Sequence, residues 1–140
     1  MSATTLGGRT GSAELLQIGE VAEEVGLSLR TVRYYEEVGV LAAPARTEGG
    51  FRLYGTDHLE QLRLIKQMKP LGLSLDEMRE LLRARETLRG AGGVDERARA
   101  RARLEGFAEL AGERCRELRG QLRSAERFAR QIGSEAEAED

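Results

Sequence analysis

Basic and hydroxyl-bearing side chains are concentrated in one short segment of this chain, LSLRTVRYYEEVGVL, which begins at Leu27. Arg30 and Arg33 are three residues apart, and Thr31 and Tyr34 lie beside them, so a helix would bring these four side chains close together. A guanidinium group can donate two hydrogen bonds to the edge of a guanine base, and hydroxyl groups can bind phosphate oxygens. The residue types therefore favour binding to nucleic acid over catalysis.

Two short helices joined by a tight turn would position this segment. Apolar residues recur with helical spacing from Ile18 to Val25, and Gly26 fits the position just after a helix end. Ser28 is predicted to cap the N-terminus of the second helix, which would run to about Val38. Only two residues separate the helices, which predicts a sharp angle between them. The inward-facing residues of the second helix are predicted to be Leu29, Val32 and one of the two tyrosines.

A basic hairpin is predicted directly after the second helix, with strands at about residues 44–47 and 51–54. The adjacent glycines between them supply the positive φ that such a turn needs. Arg46 and Arg52 fall in opposite strands, where their guanidinium groups could bind flanking phosphates. Aromatic residues of this hairpin could add to that surface, or could only pack on the preceding helices; they are Phe51 and Tyr54.

Two further helices are predicted to complete the first domain. Thr56 or Asp57 would cap the third helix, and Pro70 would end it. Ser74 and Glu77 have the spacing of a capping box, which predicts the start of the fourth helix. The inward-facing residues are predicted to be Leu59, Leu62, Ile65 and Met68 in the third helix and Leu75, Met78, Leu81 and Leu82 in the fourth.

The rest of the chain is predicted to be one long helix. We divide the sequence into a disordered N-terminal tail at 1–15, a DNA-binding domain at 16–88, a Gly-rich loop at 89–94, a coiled-coil helix at 95–132 and an acidic tail at 133–140. A helix of that length cannot bury an apolar stripe against a small domain alone, so a second copy of the chain is the expected partner. The stripe follows heptad spacing through Leu104, Ala108, Ala111, Cys115, Leu118, Leu122, Ala125, Ala129 and Ile132.

Composition sets further limits on the class of protein. The chain has 140 residues, of which 40% are hydrophobic, 4% aromatic and 33% charged, as expected for a mainly helical fold. A net charge of −2 does not itself suggest nucleic acid, but a basic face matters more than the total. The sequence contains no apolar stretch of membrane-spanning length and no signal peptide, so a cytoplasmic location is expected.

Three motifs recur here in the order and at the spacing of a known family. The runs QIGEVAEEVGLSLRTVRYYEEVGVL, RTEGGFRLY and KPLGLSLDEMRELL resemble the MerR family of bacterial transcription regulators over roughly residues 16–83. The resemblance implies a mainly α fold. It would consist of a winged helix-turn-helix DNA-binding domain followed by a long dimerisation helix that forms an antiparallel coiled coil.

The resemblance also implies a mechanism. A homodimer would bind pseudo-palindromic promoter DNA between the −35 and −10 elements, and would bend and undertwist that spacer so that RNA polymerase can engage both elements. Such deformation costs a few kcal/mol, which backbone contacts must offset. Pro70 beside the last implied contact is unusual for the family. By matching motif positions, the implied DNA contacts are Arg30, Thr31, Arg33, Tyr34 and Tyr35 in the recognition helix, Arg46, Arg52 and Tyr54 in the wing, and Lys69.

The sequence gives little information about an effector. The metal-sensing branches of the family carry several cysteines, whereas this chain has only Cys115, and His58 is distant in sequence. No metal or cofactor is therefore expected, and Cys115 is interpreted as a small apolar residue of the coiled coil. Because Cys115 lies near the middle of the long helix, a second hypothesis is that it meets its copy in the partner chain and responds to oxidant.

These observations predict a homodimeric, sequence-specific DNA-binding regulator without enzymatic activity. A coiled-coil interaction protein whose small head binds another protein is the alternative. An enzyme is disfavoured, because the sequence contains no nucleophile–base pair, metal-ligand cluster or phosphate-binding loop. The operator, the regulated genes, the effector and the direction of regulation stay open.

Overall fold

The computed structural model describes residues 16–90 and 92–138, which contain five helices and a two-stranded hairpin. The chain divides into two compact units, the first ending at Glu86 and the second beginning at Thr87. The predicted winged helix-turn-helix followed by a long C-terminal helix is confirmed. The elements in chain order are α1 (Ile18–Val25), α2 (Leu29–Glu37), β1 (Ala45–Arg46), β2 (Arg52–Leu53), α3 (Thr56–Met68), α4 (Leu75–Arg89) and α5 (Val94–Glu137).

Capping interactions fix the tight turn between α1 and α2. Gly26 has a φ of 74°, a left-handed conformation that glycine adopts without strain. The following amide of Leu27 donates to the carbonyl of Ala22 at 2.9 Å, which closes the end of α1. Ser28 Oγ accepts a hydrogen bond from the Thr31 amide at 3.0 Å and thereby starts α2. Both predicted capping positions are confirmed.

The core of the first unit is aliphatic, with two tyrosines. One predicted core residue is wrong: Leu29 is 43% exposed. It is the first residue of α2, and helical side chains point back toward the N-terminus, so no preceding turn covers it. The buried residues of this unit are Leu16, Val21, Ala22, Val25, Val32, Tyr35, Val40, Leu41, Tyr54, Leu62, Ile65, Met68, Leu73, Met78, Leu82 and Ala84.

The hairpin is shorter than predicted, with two residues in each antiparallel strand. Arg46 and Arg52 lie directly opposite each other in the pairing register. Leu16 extends the hairpin through an isolated bridge to Tyr54, with N–O distances of 2.8 and 2.7 Å. Of the two turn glycines, Gly50 adopts the positive φ, at 86°. The hairpin is therefore joined to Leu16, the first described residue, by backbone hydrogen bonds.

The N-terminus of α3 differs from the prediction. Its cap is Gly55, whereas Thr56 and Asp57 are already helical. The amide of Gly55 donates to Nδ1 of His58 at 3.0 Å, so an imidazole at the third position of the helix takes the place of the Glu or Gln of a capping box. Nε2 of the same ring lies 3.3 Å from the carbonyl of Ala43, in the segment before β1.

The predicted capping box at the start of α4 is confirmed. The Ser74 amide donates to Glu77 Oε1 at 2.8 Å, and the Glu77 amide donates to Ser74 Oγ at 3.1 Å. Pro70 is predicted to end the third helix, and α3 does end just before it, at Met68. The predicted inward positions Leu75 and Leu81 are only half-buried.

The second unit is built around α5, which has 44 residues. At about 1.5 Å per residue this helix is roughly 66 Å long. At the start of α5, the Gly93 amide donates to Glu96 Oε1 at 2.9 Å. The Arg97 guanidinium donates to the carbonyl of Leu88 at 2.6 Å. The helix continues five residues beyond the predicted end at 132, through Gly133 and Ser134 to Glu137.

The C-terminal half of α5 exposes large apolar side chains. Leu118, Leu122 and Ile132, all members of the predicted heptad stripe, are 43%, 57% and 44% exposed. Phe128, beside that stripe, is 65% exposed. No helix in the described part of the chain is both long and apolar enough to cross a membrane.

Candidate nucleic-acid interface

One face of α2 carries the side chains that the sequence singled out. Arg30 and Arg33 are exposed, and Tyr34 is 45% exposed. Their spacing of three and four residues places them on the same side of the helix. Thr31 is half-buried beside them, and its Oγ1 accepts a hydrogen bond from Ser28 Oγ at 2.8 Å. This face therefore presents two guanidinium groups and a phenol near the N-terminus of a helix.

The opposite face of α2 anchors the helix in the core. Val32 is fully buried and Tyr35 is 4% exposed. The ring of Tyr35 packs edge-on against Tyr34, with 5.4 Å between ring centroids. This burial favours a supporting role for Tyr35 beneath Tyr34, and the direct DNA contact predicted for Tyr35 stays an untested prediction.

Basic side chains from α3 and α4 hold the ends of α1 and α2. Lys66 Nζ donates to the carbonyl of Val25 at 2.9 Å, and Arg79 Nε donates to the carbonyl of Val38 at 3.0 Å. Each cation meets carbonyl groups that a helix end leaves unpaired, and it complements the negative end of the helix dipole. Neither contact could be predicted from a local pattern in the sequence, because each residue lies 41 positions from its partner.

The hairpin supplies a second basic group beside α2. Arg46 is exposed, and its guanidinium donates to the carbonyl of Gly50 at 2.9 Å, which keeps it close to the turn. Arg52 is less free: its side chain is 33% exposed, and Nε lies 3.5 Å from Glu36 Oε1. Of the two predicted wing arginines, Arg46 thus has the more accessible charge.

Tyr54 connects the hairpin to α2 from inside the unit. It is fully buried, and its hydroxyl donates to Glu36 Oε1 at 2.8 Å. This burial favours a positioning role for Tyr54, and the phosphate contact predicted for it stays an untested prediction. Glu36 accepts a hydrogen bond from Tyr54 and pairs with Arg52, so one half-buried carboxylate connects α2 to β2.

This buried contact alters the titration of the phenol. Burial raises the pKa of Tyr54, and the hydrogen bond and the negative charge of Glu36 raise it further. The positive charges of Arg52 and Arg33 act in the opposite direction but do not outweigh these effects. In the folded protein the phenol therefore keeps its proton at alkaline pH, where an exposed tyrosine would lose it.

The Tyr54 hydroxyl gives a testable pH dependence. Above about pH 10, the ordinary pKa of tyrosine, the unfolded chain loses a proton that the folded chain keeps, so the free energy of unfolding falls as pH rises. Tyr54→Phe should lower the free energy of unfolding by about 1–3 kcal/mol at neutral pH and make its alkaline decline shallower. Urea denaturation of both proteins between neutral and alkaline pH measures this. Parallel pH profiles would contradict the assignment.

Two predicted positions remain to be described. Lys69 is exposed at the C-terminal end of α3. Cys115 is a free cysteine on α5 with intermediate exposure. Within the described residues, no group of three or more histidine, cysteine or acidic side chains has a geometry that could hold a metal ion. The redox hypothesis for Cys115 stays a prediction.

The fold and this surface together define a winged helix-turn-helix protein with a long C-terminal helix. Two family models match the chain: the MerR HTH family regulatory protein model over residues 16–85 and the MerR DNA-binding model over residues 59–133. The chain belongs to the MerR family.

Individual relatives agree with this assignment. The HTH-type transcriptional regulator YfmP of Bacillus subtilis strain 168 is 44% identical over 70 residues, which are 49% of this chain and 50% of that protein. The regulator CueR of Yersinia pestis is 42% identical over 67 residues, 48% of each chain. The chain thus spans about half the length of the curated relatives that it matches.

Solved structures share the fold. The crystal structure of HiNmlR, a MerR family regulator lacking the sensor domain and bound to promoter DNA, aligns with a TM-score of 0.59 and 24% identity. The alignment covers 83% of this chain and 79% of HiNmlR. At that identity the match establishes a common fold.

Proposed function

We propose that this protein is a transcription regulator that binds promoter DNA as a homodimer through α2 and the hairpin. The observation that carries this proposal is the exposed face of Arg30, Arg33 and Tyr34, presented by a helix whose other face is locked into the core. A helix of this kind fits the major groove, where arginine reads guanine through its O6 and N7 atoms. The HiNmlR complex with promoter DNA supports this use of the fold.

Each part of the surface has a distinct role in the proposal. The α2 face reads base edges, whereas Arg46 and Lys69 bind phosphates and set the position of the domain on the duplex. Arg52 is paired with Glu36, which holds its guanidinium next to α2, between the base-reading face and the phosphate-binding arginine of the hairpin. Tyr54 and Tyr35 act as positioning residues that keep the two elements in register.

A second copy of the chain completes the site. The exposed stripe of Leu118, Leu122 and Ile132 on α5 needs a partner, and a second α5 in antiparallel orientation covers it with the same stripe. Two α2 helices related by two-fold symmetry then read a pseudo-palindromic site. The dimer distorts the spacer between the −35 and −10 promoter elements, so that RNA polymerase engages both. No enzymatic step is part of this function.

The alternative is a coiled-coil interaction protein whose first unit binds another protein. The two functions differ in their response to salt, because DNA binding releases counterions from phosphates. When the immobilised protein recovers duplexes from a random pool, the recovered DNA is expected to be enriched in one sequence. A duplex of that sequence is the selected duplex. A protein-interaction module would recover no sequence preferentially.

Arg46 tests the phosphate contact separately from base reading. Arg46→Ala should reduce the slope of log affinity against log salt by about 1.8, because the dimer loses one phosphate contact in each protomer and each contact accounts for about 0.9. Arg46→Lys keeps the positive charge and should keep most of that slope. Fluorescence anisotropy of the selected duplex at increasing salt measures both variants. An unchanged slope for Arg46→Ala would exclude Arg46 from the interface.

A further inference from the structure

The tip of the hairpin carries an exposed aromatic ring that the proposed contacts do not use. Phe51 is 63% exposed, so it does not pack on the preceding helices, which was the alternative interpretation of the sequence. Single exposed apolar residues are common on protein surfaces, so exposure alone does not indicate a binding contact. The surroundings of this ring are what distinguish it.

The backbone holds Phe51 firmly at the tip. Its amide donates to Thr47 Oγ1 at 3.1 Å, and its carbonyl accepts from the Thr47 amide at 3.0 Å. The Gly50 amide donates to the Thr47 carbonyl at 2.9 Å, and Gly50 has the left-handed φ that this turn requires. The ring therefore projects from a turn fixed by three hydrogen bonds, and little conformational freedom is lost when it makes a contact.

The ring also lies against bare backbone. A Cβ atom placed on Gly49 would be 3.3 Å from the Phe51 ring, which shows that the ring covers this glycine. Because neither turn glycine has a side chain, Phe51 and the exposed Glu48 are the side chains at the tip. The contact surface at the tip is thus one face of a phenyl ring.

Two arginines lie close to Phe51 in the hairpin. Arg46 is bonded to the carbonyl of Gly50, the residue before Phe51, and Arg52 follows Phe51 in the chain. The hairpin carries these two arginines against the single acid Glu48. A surface that suits this combination must be apolar in one small patch and anionic on either side of it. The deoxyribose–phosphate backbone has this composition, since each sugar presents carbon atoms between two phosphates.

We propose that the Phe51 ring packs against a deoxyribose of the DNA backbone while the neighbouring arginines bind the flanking phosphates. This inference rests on the proposed function, because it assigns a further contact to the same DNA surface. The contact is apolar and common to all nucleotides. It therefore contributes affinity without contributing sequence preference or salt dependence.

The test compares Phe51→Ala and Phe51→Leu with the wild-type protein. Phe51→Ala should weaken binding about tenfold, the effect of removing roughly 1.4 kcal/mol of apolar contact. The loss should be the same for the selected duplex and for an unrelated duplex of equal length, and the salt slope should not change. Phe51→Leu should stay within about threefold of wild type, because it keeps most of the apolar contact.

Several outcomes would overturn this inference. Wild-type affinity for Phe51→Ala would show that the ring makes no contact. A loss confined to the selected duplex would assign the ring to base edges instead of sugars. A lowered thermal midpoint in Phe51→Ala would assign it a structural role. In each case the proposed function would stand, whereas a wild-type protein that binds no duplex would overturn both.

Discussion

Replacing Arg30 and Arg33 together with alanine is expected to weaken binding to the selected duplex by at least roughly 1000-fold. Each bidentate arginine–guanine contact contributes about 1–3 kcal/mol of discrimination, and the dimer loses four of them, so the loss corresponds to at least about 4 kcal/mol. Both side chains are exposed on the face of α2 opposite Val32 and Tyr35, so their removal leaves the core intact. The free energy of unfolding should therefore change by less than about 0.5 kcal/mol.

A matched control separates base reading from total charge. Arg123→Ala removes the same kind of charge from an exposed position on α5, and it should leave affinity for the selected duplex nearly unchanged. Affinity for an unrelated duplex should fall much less than affinity for the selected one when Arg30 and Arg33 are replaced. Equal losses on both duplexes would mean that these arginines bind phosphates instead of bases.

Replacing Leu118 and Leu122 together with glutamate is expected to abolish the dimer. Both residues are exposed in the single chain and belong to the heptad stripe of α5, so a partner helix would bury them. Four carboxylates would then be enclosed in one two-fold interface, and unpaired charge in an apolar contact is strongly unfavourable. Light scattering should give the 15.4 kDa of one chain for the variant and twice that mass for the wild type.

The control for this experiment is Ser124→Glu, which adds a carboxylate to the same helix away from the stripe. It should keep the mass of the wild type. Circular dichroism should show that the first unit of the double variant still folds, because its core lies before residue 87. A double variant that keeps the wild-type mass would mean that another surface forms the dimer, or that the wild type is a monomer.

Local sequence signals predicted much of the fold correctly. Gly26, Ser28 and the pair Ser74–Glu77 act on neighbours within four residues, and the structure confirms each of them. Where a less common group performs the same function, the local rule is wrong. At Gly55 the backbone amide is paired with the imidazole of His58, a side chain that no capping rule favours.

The direction of the aromatic side chains could not be predicted in this way. Tyr34 and Tyr35 are adjacent and chemically identical, but only one of them can lie on the exposed face of α2. The position of Tyr54 in a basic hairpin suggests a surface residue. Its hydroxyl can be buried because it donates a hydrogen bond to Glu36, 18 residues earlier in the chain. Phe51 shows the reverse, since an apolar residue is exposed where the tight turn offers its ring only the backbone of Gly49.

The most direct test of the central claim is methylation interference on the selected duplex. Methylation of guanine N7 blocks the major-groove acceptor that a bidentate arginine requires. If α2 enters the major groove in a two-fold dimer, methylation should abolish binding at two symmetry-related groups of guanines, separated by about one helical turn or a multiple of it. Binding of fully methylated DNA with the affinity of unmethylated DNA, or interference at a single asymmetric position, would contradict the account.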